Sequence, residues 1–317
     1  MKCALITGIA GQDGSLLAEL LLDKGYEVFG VARTAGDHPN LEAIRDRVTL
    51  RPIDLLDSTQ LARALRESRA QEVYNLASVS FVPASWERPI ETAQMGAVAV
   101  TVLLEAIREV DPQIRLFQAS SSEVFGNPSE TPQDELTPIS PLTPYGAAKA
   151  YGQLITAAYR RRYGLHASTG ILYNHESPRR PLSFLPMKVA NAAARIRLGQ
   201  VERVHLGNLD ARRDWGWAAD YVRAMWLMLQ RKEPDGYVIA TGVAHSVREL
   251  VAAAFSEVGL EWEAYVVIDE AFKRGSDEPQ GLVGNPARAA TQLDWRPSLG
   301  FEEMVGRLVR SELARCA

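Results

Sequence analysis

Two short segments of this 317-residue chain carry side chains able to do chemistry together: Ser120-Ser121-Ser122-Glu123, and Thr143-Pro144-Tyr145-Gly146-Ala147-Ala148-Lys149. The second opens a stretch, Tyr145 to Tyr163, that reads as helix. A tyrosine and a lysine four apart there leave the same face about one turn apart, roughly 6 Å along the axis. A free phenol, with a pKa near 10, is a poor base at neutral pH. Beside a fixed ammonium and a positively charged nicotinamide it can be lowered far enough to exchange a proton with a sugar hydroxyl. The pair alone does not separate a base from an incidental surface tyrosine, so the reading depends on what else the chain positions.

The N-terminus supplies that context. Lys2 to Ile6 is an apolar run closed by Thr7, and Gly8, Gly11 and Gly14 follow at intervals of three before the amphipathic run Ser15 to Lys24. A strand, a glycine turn and a helix in this order make a pyrophosphate site. Glycines let the backbone approach the phosphates, and the helix N-terminus aims unpaired N–H groups and its positive dipole end at their charge. Gln12 and Asp13, inside the turn, count with the cofactor contacts. A second strand, Tyr26 to Ala32, completes the step. Its end reads Val31-Ala32-Arg33 with no carboxylate before Asp37, which favours NADP over NAD, with Arg33 on the 2′-phosphate. Asp54-Leu55 is expected to flank the adenine. Leu76-Ala77-Ser78 should line the pyrophosphate and the nicotinamide ribose.

Strand-like segments near 2–7, 26–32, 48–53, 72–76, 114–119 and 167–173 alternate with helices near 15–24, 58–68, 93–110 and 144–163. The fold class is therefore α/β, a Rossmann-type doubly wound parallel sheet. Beyond Asn174 come Pro- and Arg-rich segments and helical stretches at Lys188–Leu198, Tyr221–Gln230 and Val247–Val258. The division expected is an NADP-binding domain over 1–173, rejoined near 209–241 with a strand at Tyr237–Ala240, and a smaller, mainly substrate-binding cap over 174–317. Ser246-Val247-Arg248-Glu249 has capping-box spacing, and Trp226, Met225 and Met228 read as core.

The bulk numbers exclude several classes. A net charge of −4 without a basic tract argues against a nucleic-acid partner. The two cysteines, Cys3 and Cys316, make no disulfide framework, and the five histidines show no ligand spacing, so neither a metal site nor an oxidising compartment is expected. A glycine-strand start without a leader, and no apolar run of about 18 residues, point to the cytoplasm and away from the membrane.

Longer strings narrow the reading. Ile6 to Gly14, Tyr173-Asn174-His175-Glu176-Ser177-Pro178-Arg179-Arg180, Gly207 to Gly216 and Asp220 to Gln230 closely resemble GDP-mannose 4,6-dehydratases, within the extended short-chain dehydrogenase/reductase superfamily. The likeness implies a hydro-lyase acting on a GDP-hexose, most simply GDP-mannose converted to GDP-4-keto-6-deoxymannose. In that scheme Tyr145, poised by Lys149 and bonded by Ser121, takes the proton of the 4-hydroxyl as C4 is oxidised. Glu123 removes the C5 proton so that the 6-hydroxyl leaves as water, and hydride returns at C6. The likeness also implies His175 and Arg180 beside NADP, Lys188, Arg213 and Arg274 on the diphosphate and ribose, and Ser80, Asn174 and Glu278 near the sugar or nucleoside. It suggests a homodimer through the helices 93–110 and 144–163, with a tetramer left open. Three departures touch the substrate: Ser121 replaces the family's threonine, Val79 a common glutamine, and Pro186-Met187 two residues before the lysine. A reductase, epimerase or decarboxylase of the same superfamily is the alternative.

Overall fold

The computed structural model describes residues 2–34, 36–272 and 281–317. Seven strands form one parallel sheet: β1 (Cys3–Thr7), β2 (Glu27–Ala32), β3 (Val48–Pro52), β4 (Glu72–Asn75), β5 (Arg115–Ser121), β6 (Ala167–Leu172) and β10 (Gly236–Ile239). Their order is β10-β6-β5-β4-β1-β2-β3. It runs outward in both directions from β1 and β4, so the chain switches direction between those two strands. An open α/β sheet binds its ligand outside the carboxyl ends of the strands at such a switch point. The expected doubly wound parallel sheet is present. The strand read at Tyr237–Ala240 pairs parallel with β6, Tyr237 opposite Gly170.

Between the strands run helices α1 (Gln12–Asp23), α2 (Ser58–Ser68), α3 (Ala84–Glu87), α4 (Pro89–Ala93), α5 (Ala99–Val110) and α6 (Pro144–Tyr163). Each sheet face is covered by its own apolar cluster. Leu17, Leu21, Tyr221 and Met225 lie on one side, and Leu61, Leu65, Leu103 and Ile107 on the other. Met225 and Met228 are fully buried, as expected of core.

A third cluster belongs to α7 (Leu185–Arg197), α9 (Val247–Glu257) and α11 (Phe301–Cys316), around Met187, Leu250 and Leu308. Two small sheets accompany it. One has the order β11-β9-β7, from β7 (Asn174–Glu176), β9 (Arg212–Trp217) and β11 (Ala244–Ser246); the other pairs β8 (Val204–Leu206) with β12 (Val266–Ile268). Helices α8 (Ala218–Gln230) and α10 (Ala287–Leu293) return to the main sheet, where Trp295 Nε1 donates to the Asp220 carbonyl at 2.8 Å. The capping box at Ser246 is formed on both sides.

Two boundaries differ from the sequence reading. Helix α1 begins at Gln12 rather than Ser15, because Gly11 serves as N-cap and Gly14 already lies in the helix. The helix read at 93–110 starts instead at Pro89, the favoured first helical position, and passes through a π-turn at Gln94–Val98. The continuous run Pro89–Val110 is, among the described residues, long and apolar enough to cross a membrane by length and composition. This differs from the expectation of no apolar run of that length. Val100, Leu103, Leu104 and Ile107 on it are buried in the core beneath the sheet.

The glycine turn is closely packed against main-chain atoms. Gly8 has φ +70°, and a Cβ there would lie 2.9 Å from the Ala77 backbone; one on Gly14 would lie 2.3 Å from the Gly8 carbonyl oxygen. Gly14→Ala should therefore destabilise the fold by about 1–3 kcal/mol, the usual cost of forcing an extra carbon into a packed site. Urea denaturation read by circular dichroism measures this, and an unchanged midpoint would contradict the packing described.

Candidate active site

A cavity of about 810 Å³ lies over the carboxyl ends of β4, β5 and β6, with Asp13, Ser121, Glu123, Tyr145, Lys149 and His175 in its wall. Local structure fixes each of these. Thr143 caps α6, its hydroxyl accepting the Gly146 N–H at 3.0 Å, and Pro144 takes the first helical position. Tyr145 thus stands in the first turn and Lys149 one turn on. Both are buried, the ammonium 5.7 Å from the phenol ring centroid and donating to the Ala119 carbonyl at 3.1 Å. Ser121 ends β5 and caps the short turn that follows, its hydroxyl accepting the Glu123 N–H at 3.3 Å.

The electrostatics of the pair differ from the sequence reading, in which the ammonium lowers the phenol. Burial pushes Tyr145 up to about 12, and the Glu123 charge adds to the rise. The Ser121 hydrogen bond and the more distant Arg180 pull the other way without reversing it. Burial also lowers Lys149 to about 8, despite the attraction of Asp13. Desolvation wins because it acts on each charged form directly.

Asp13 and His175 make the cavity's second polar centre. The carboxylate accepts from His175 Nε2 at 2.9 Å, while His175 Nδ1 lies 2.7 Å from the Tyr173 carbonyl. Gln12 completes the clasp, donating to Asp13 at 3.0 Å and to the His175 carbonyl at 3.1 Å, and accepting from the Ser177 hydroxyl at 2.9 Å. Burial alone would raise Asp13; the charge and hydrogen bond of His175 overcome it and hold the acid at about 2. His175 is raised in turn, its burial outweighed by Asp13. Opposite this centre, Phe81 packs edge-on against Phe184 at 5.4 Å, and the Arg180 guanidinium lies 3.7 Å over the Phe184 ring.

A family model described as GDP-mannose 4,6 dehydratase matches residues 5–308. GDP-mannose 4,6 dehydratase 1 of Arabidopsis thaliana is 43% identical over 326 residues, 98% of this chain and 90% of the relative. GDP-mannose 4,6-dehydratase of Sinorhizobium fredii (strain HH103) is 42% identical over 342 residues, 99% and 97% of the two chains. The chain belongs to the GDP-mannose 4,6-dehydratase family. Its members are nucleotide-sugar dehydratases, a hydro-lyase class. Among solved structures, the Thermus thermophilus UDP-glucose 4-epimerase in complex with NAD superposes with a TM-score of 0.85, at 27% identity and over 98% of each chain.

In this member of the GDP-mannose 4,6-dehydratase family, Ser80, Asn174, Arg180, Lys188 and Arg213 share the cavity with the residues above, as do Leu76 and Ser78. Lys188 donates to the His205 carbonyl at 2.7 Å and lies 3.8 Å over the Phe272 ring. The other expected cofactor contacts stand outside that wall, toward the glycine turn. Gly8 N–H donates to the Val31 carbonyl at 3.0 Å, joining the turn to the end of β2, and Gly11 and Gly14 follow in α1's first turn. Ala77 backs Gly8; Leu55 is buried and the Asp54 carboxylate accepts the Leu56 N–H at 2.9 Å. Arg33 is exposed and paired with Glu91 at 3.0 Å. Arg274 and Glu278 lie outside the described residues.

Sequence reasoning missed Phe81, Trp86, Phe184, Asn208 and Phe272 in the cavity wall. The signal for Phe81 was its place after β4, on the segment at a strand's carboxyl end; Trp86 follows on α3.

The Asp13–His175 pair sets a pH window. A depressed acid stabilises the fold above its unfolded pKa, about 3.9, and that stabilisation is lost as the pH falls toward the folded value. A raised histidine stabilises below its unfolded pKa, about 6.5, and its contribution is lost as the pH rises through the folded value. The melting temperature of the wild type should therefore exceed that of His175→Asn most between about pH 4 and 6.5, and the gap should shrink on either side. A gap that widens from pH 6.5 to 9 would contradict the pairing.

Proposed function

We propose that this chain converts GDP-mannose to GDP-4-keto-6-deoxymannose, with NADP as its resident hydride carrier. The observation that carries the reading is the convergence of a phenol, a hydroxyl and a carboxylate, Tyr145, Ser121 and Glu123, on one cavity of a chain that matches the dehydratase family almost throughout.

The residues present suit a dinucleotide. Gly8 turns the backbone at φ +70°, and Gly11, the N-cap of α1, places no side chain over the helix N-terminus. The first-turn N–H groups are therefore available to a pyrophosphate. When bound, an oxidised nicotinamide supplies a hydride acceptor and a positive charge. Choice of NADP over NAD rests on Arg33 and on the absence of a carboxylate between it and Asp37.

Tyr145 serves as base toward the 4-hydroxyl, with Ser121 fixing the phenol oxygen and Lys149 keeping a cation behind it. The phenol at about 12 needs added positive charge to act at neutral pH, so the base is active only in the loaded site. With a ketone at C4 the C5 proton becomes acidic, and Glu123 removes it. The 6-hydroxyl then departs with a proton as water; returning the hydride taken from C4 to C6, and a proton to C5, would complete the 4-keto-6-deoxy sugar and leave the nicotinamide as it began. Lys188 and Arg213 hold the diphosphate, joined by Arg274; Ser80, Asn174 and Glu278 serve the sugar and nucleoside. His175 and Arg180 stand by the nicotinamide half.

Glu123 separates this reaction from epimerisation or reduction, which need the phenol but no base at C5. In D₂O the product should carry deuterium at C5 and lose the 6-oxygen, with no net change in NADPH. Glu123→Gln should lower turnover by about 10²–10⁴ while nucleotide-sugar affinity is kept. Full turnover in that variant, or steady NADPH consumption, would overturn the proposal.

A homodimer through the helical faces of 93–110 and 144–163 belongs to the same reading. Val98 and Leu154 stand 50% and 56% exposed on these helices, and the Tyr151 and Thr101 hydroxyls bridge α5 and α6 at 3.0 Å. Leu154→Glu should shift the mass in light scattering from dimer to monomer; an unchanged mass would exclude this face.

A further inference from the structure

The adenosine end of the crevice carries a charge that the sequence reading did not anticipate. In dinucleotide folds the end of the second strand meets the adenosine ribose, an acid there accepting the 2′-hydroxyl and an arginine the 2′-phosphate. Here β2 offers Arg33, two residues past Val31, whose carbonyl accepts the N–H groups of Gly8 at 3.0 Å and Ile9 at 3.4 Å. The Arg33 guanidinium is already engaged. Glu91, from α4, accepts from its Nη2 through Oε1 at 3.0 Å, and through Oε2 from Arg88 Nη1 at 3.3 Å. The missing strand-end carboxylate is thus supplied from a distant element, on the very cation expected to select the phosphate.

Arg33 is 72% exposed and Glu91 31%, so this pair is weak and exchangeable rather than a structural lock. A 2′-phosphate reaching Arg33 must share or displace the carboxylate and feels its repulsion. A ribose with a free 2′-hydroxyl brings no charge and meets no such opposition. We infer that Glu91 is a specificity-determining residue that reduces this chain's preference for the 2′-phosphorylated dinucleotide over the unphosphorylated one. The inference rests on the cofactor reading above and gives the arginine an internal competitor.

The test is isothermal titration of the full chain with NADP⁺ and with NAD⁺, for the wild type, Glu91→Gln, Arg33→Ala and the double variant. Removing one charge several ångströms from a dianion in a solvated site should tighten NADP⁺ binding about three- to tenfold. NAD⁺ affinity should stay within about twofold, so the selectivity ratio rises. The gain should vanish in the Arg33→Ala background, because the two substitutions act on one contact. Unchanged or weaker NADP⁺ binding in Glu91→Gln, with Arg33→Ala still weakening NADP⁺ selectively, overturns the inference and leaves the cofactor reading standing. Equal affinity of the wild type for both dinucleotides, untouched by Arg33→Ala, overturns the cofactor reading and this inference with it.

Discussion

The site depends on a backbone contact with no room for a side chain. A Cβ on Gly8 would run into the main chain just after β4, and one on Gly14 into the backbone of the turn itself. Such contacts leave the turn one path, and that path puts Asp13 at the head of α1, facing the strand that leaves β6. From there Asp13 and Gln12 reach β7 and the Ser177 hydroxyl. The C-terminal elements that wall the cavity are thereby registered against the sheet by residues at the head of α1, next to the glycine turn.

Desolvation is the second constraint, and it acts on both Tyr145 and Lys149. A buried phenol resists ionising and a buried amine resists protonation, so Tyr145 and Lys149 move toward their neutral forms. On the proposed reading, charge brought in by ligands, rather than charge built into the protein, would set the phenol working. By contrast Asp13 and His175 hold each other toward their charged forms through a hydrogen bond within the protein itself.

What the sequence disclosed follows from the range of the interactions. The glycine intervals, the threonine-proline start of α6 and the four-residue step from Tyr145 to Lys149 are local rules, and the parallel sheet follows from their alternation. The pairs Asp13–His175 and Arg33–Glu91 join residues 162 and 58 apart, and no spacing rule connects them. The direction of the phenol's shift was hidden for a related reason. Burial of Tyr145 comes from tertiary packing, which no motif marked. Helix α1 was read three residues short because its glycines look like turn residues, and the turn and the helix share them.

Strand β10 lies outermost beside β6, more than sixty residues after it in the chain. Until Gly236–Ile239 leaves the ribosome, the β6 flank is an open row of amide and carbonyl groups, the kind of edge that recruits stray strands. The first two-thirds of the polypeptide therefore completes its sheet only when a late segment arrives, and synthesis halted before that point leaves a sticky border in place of an enzyme.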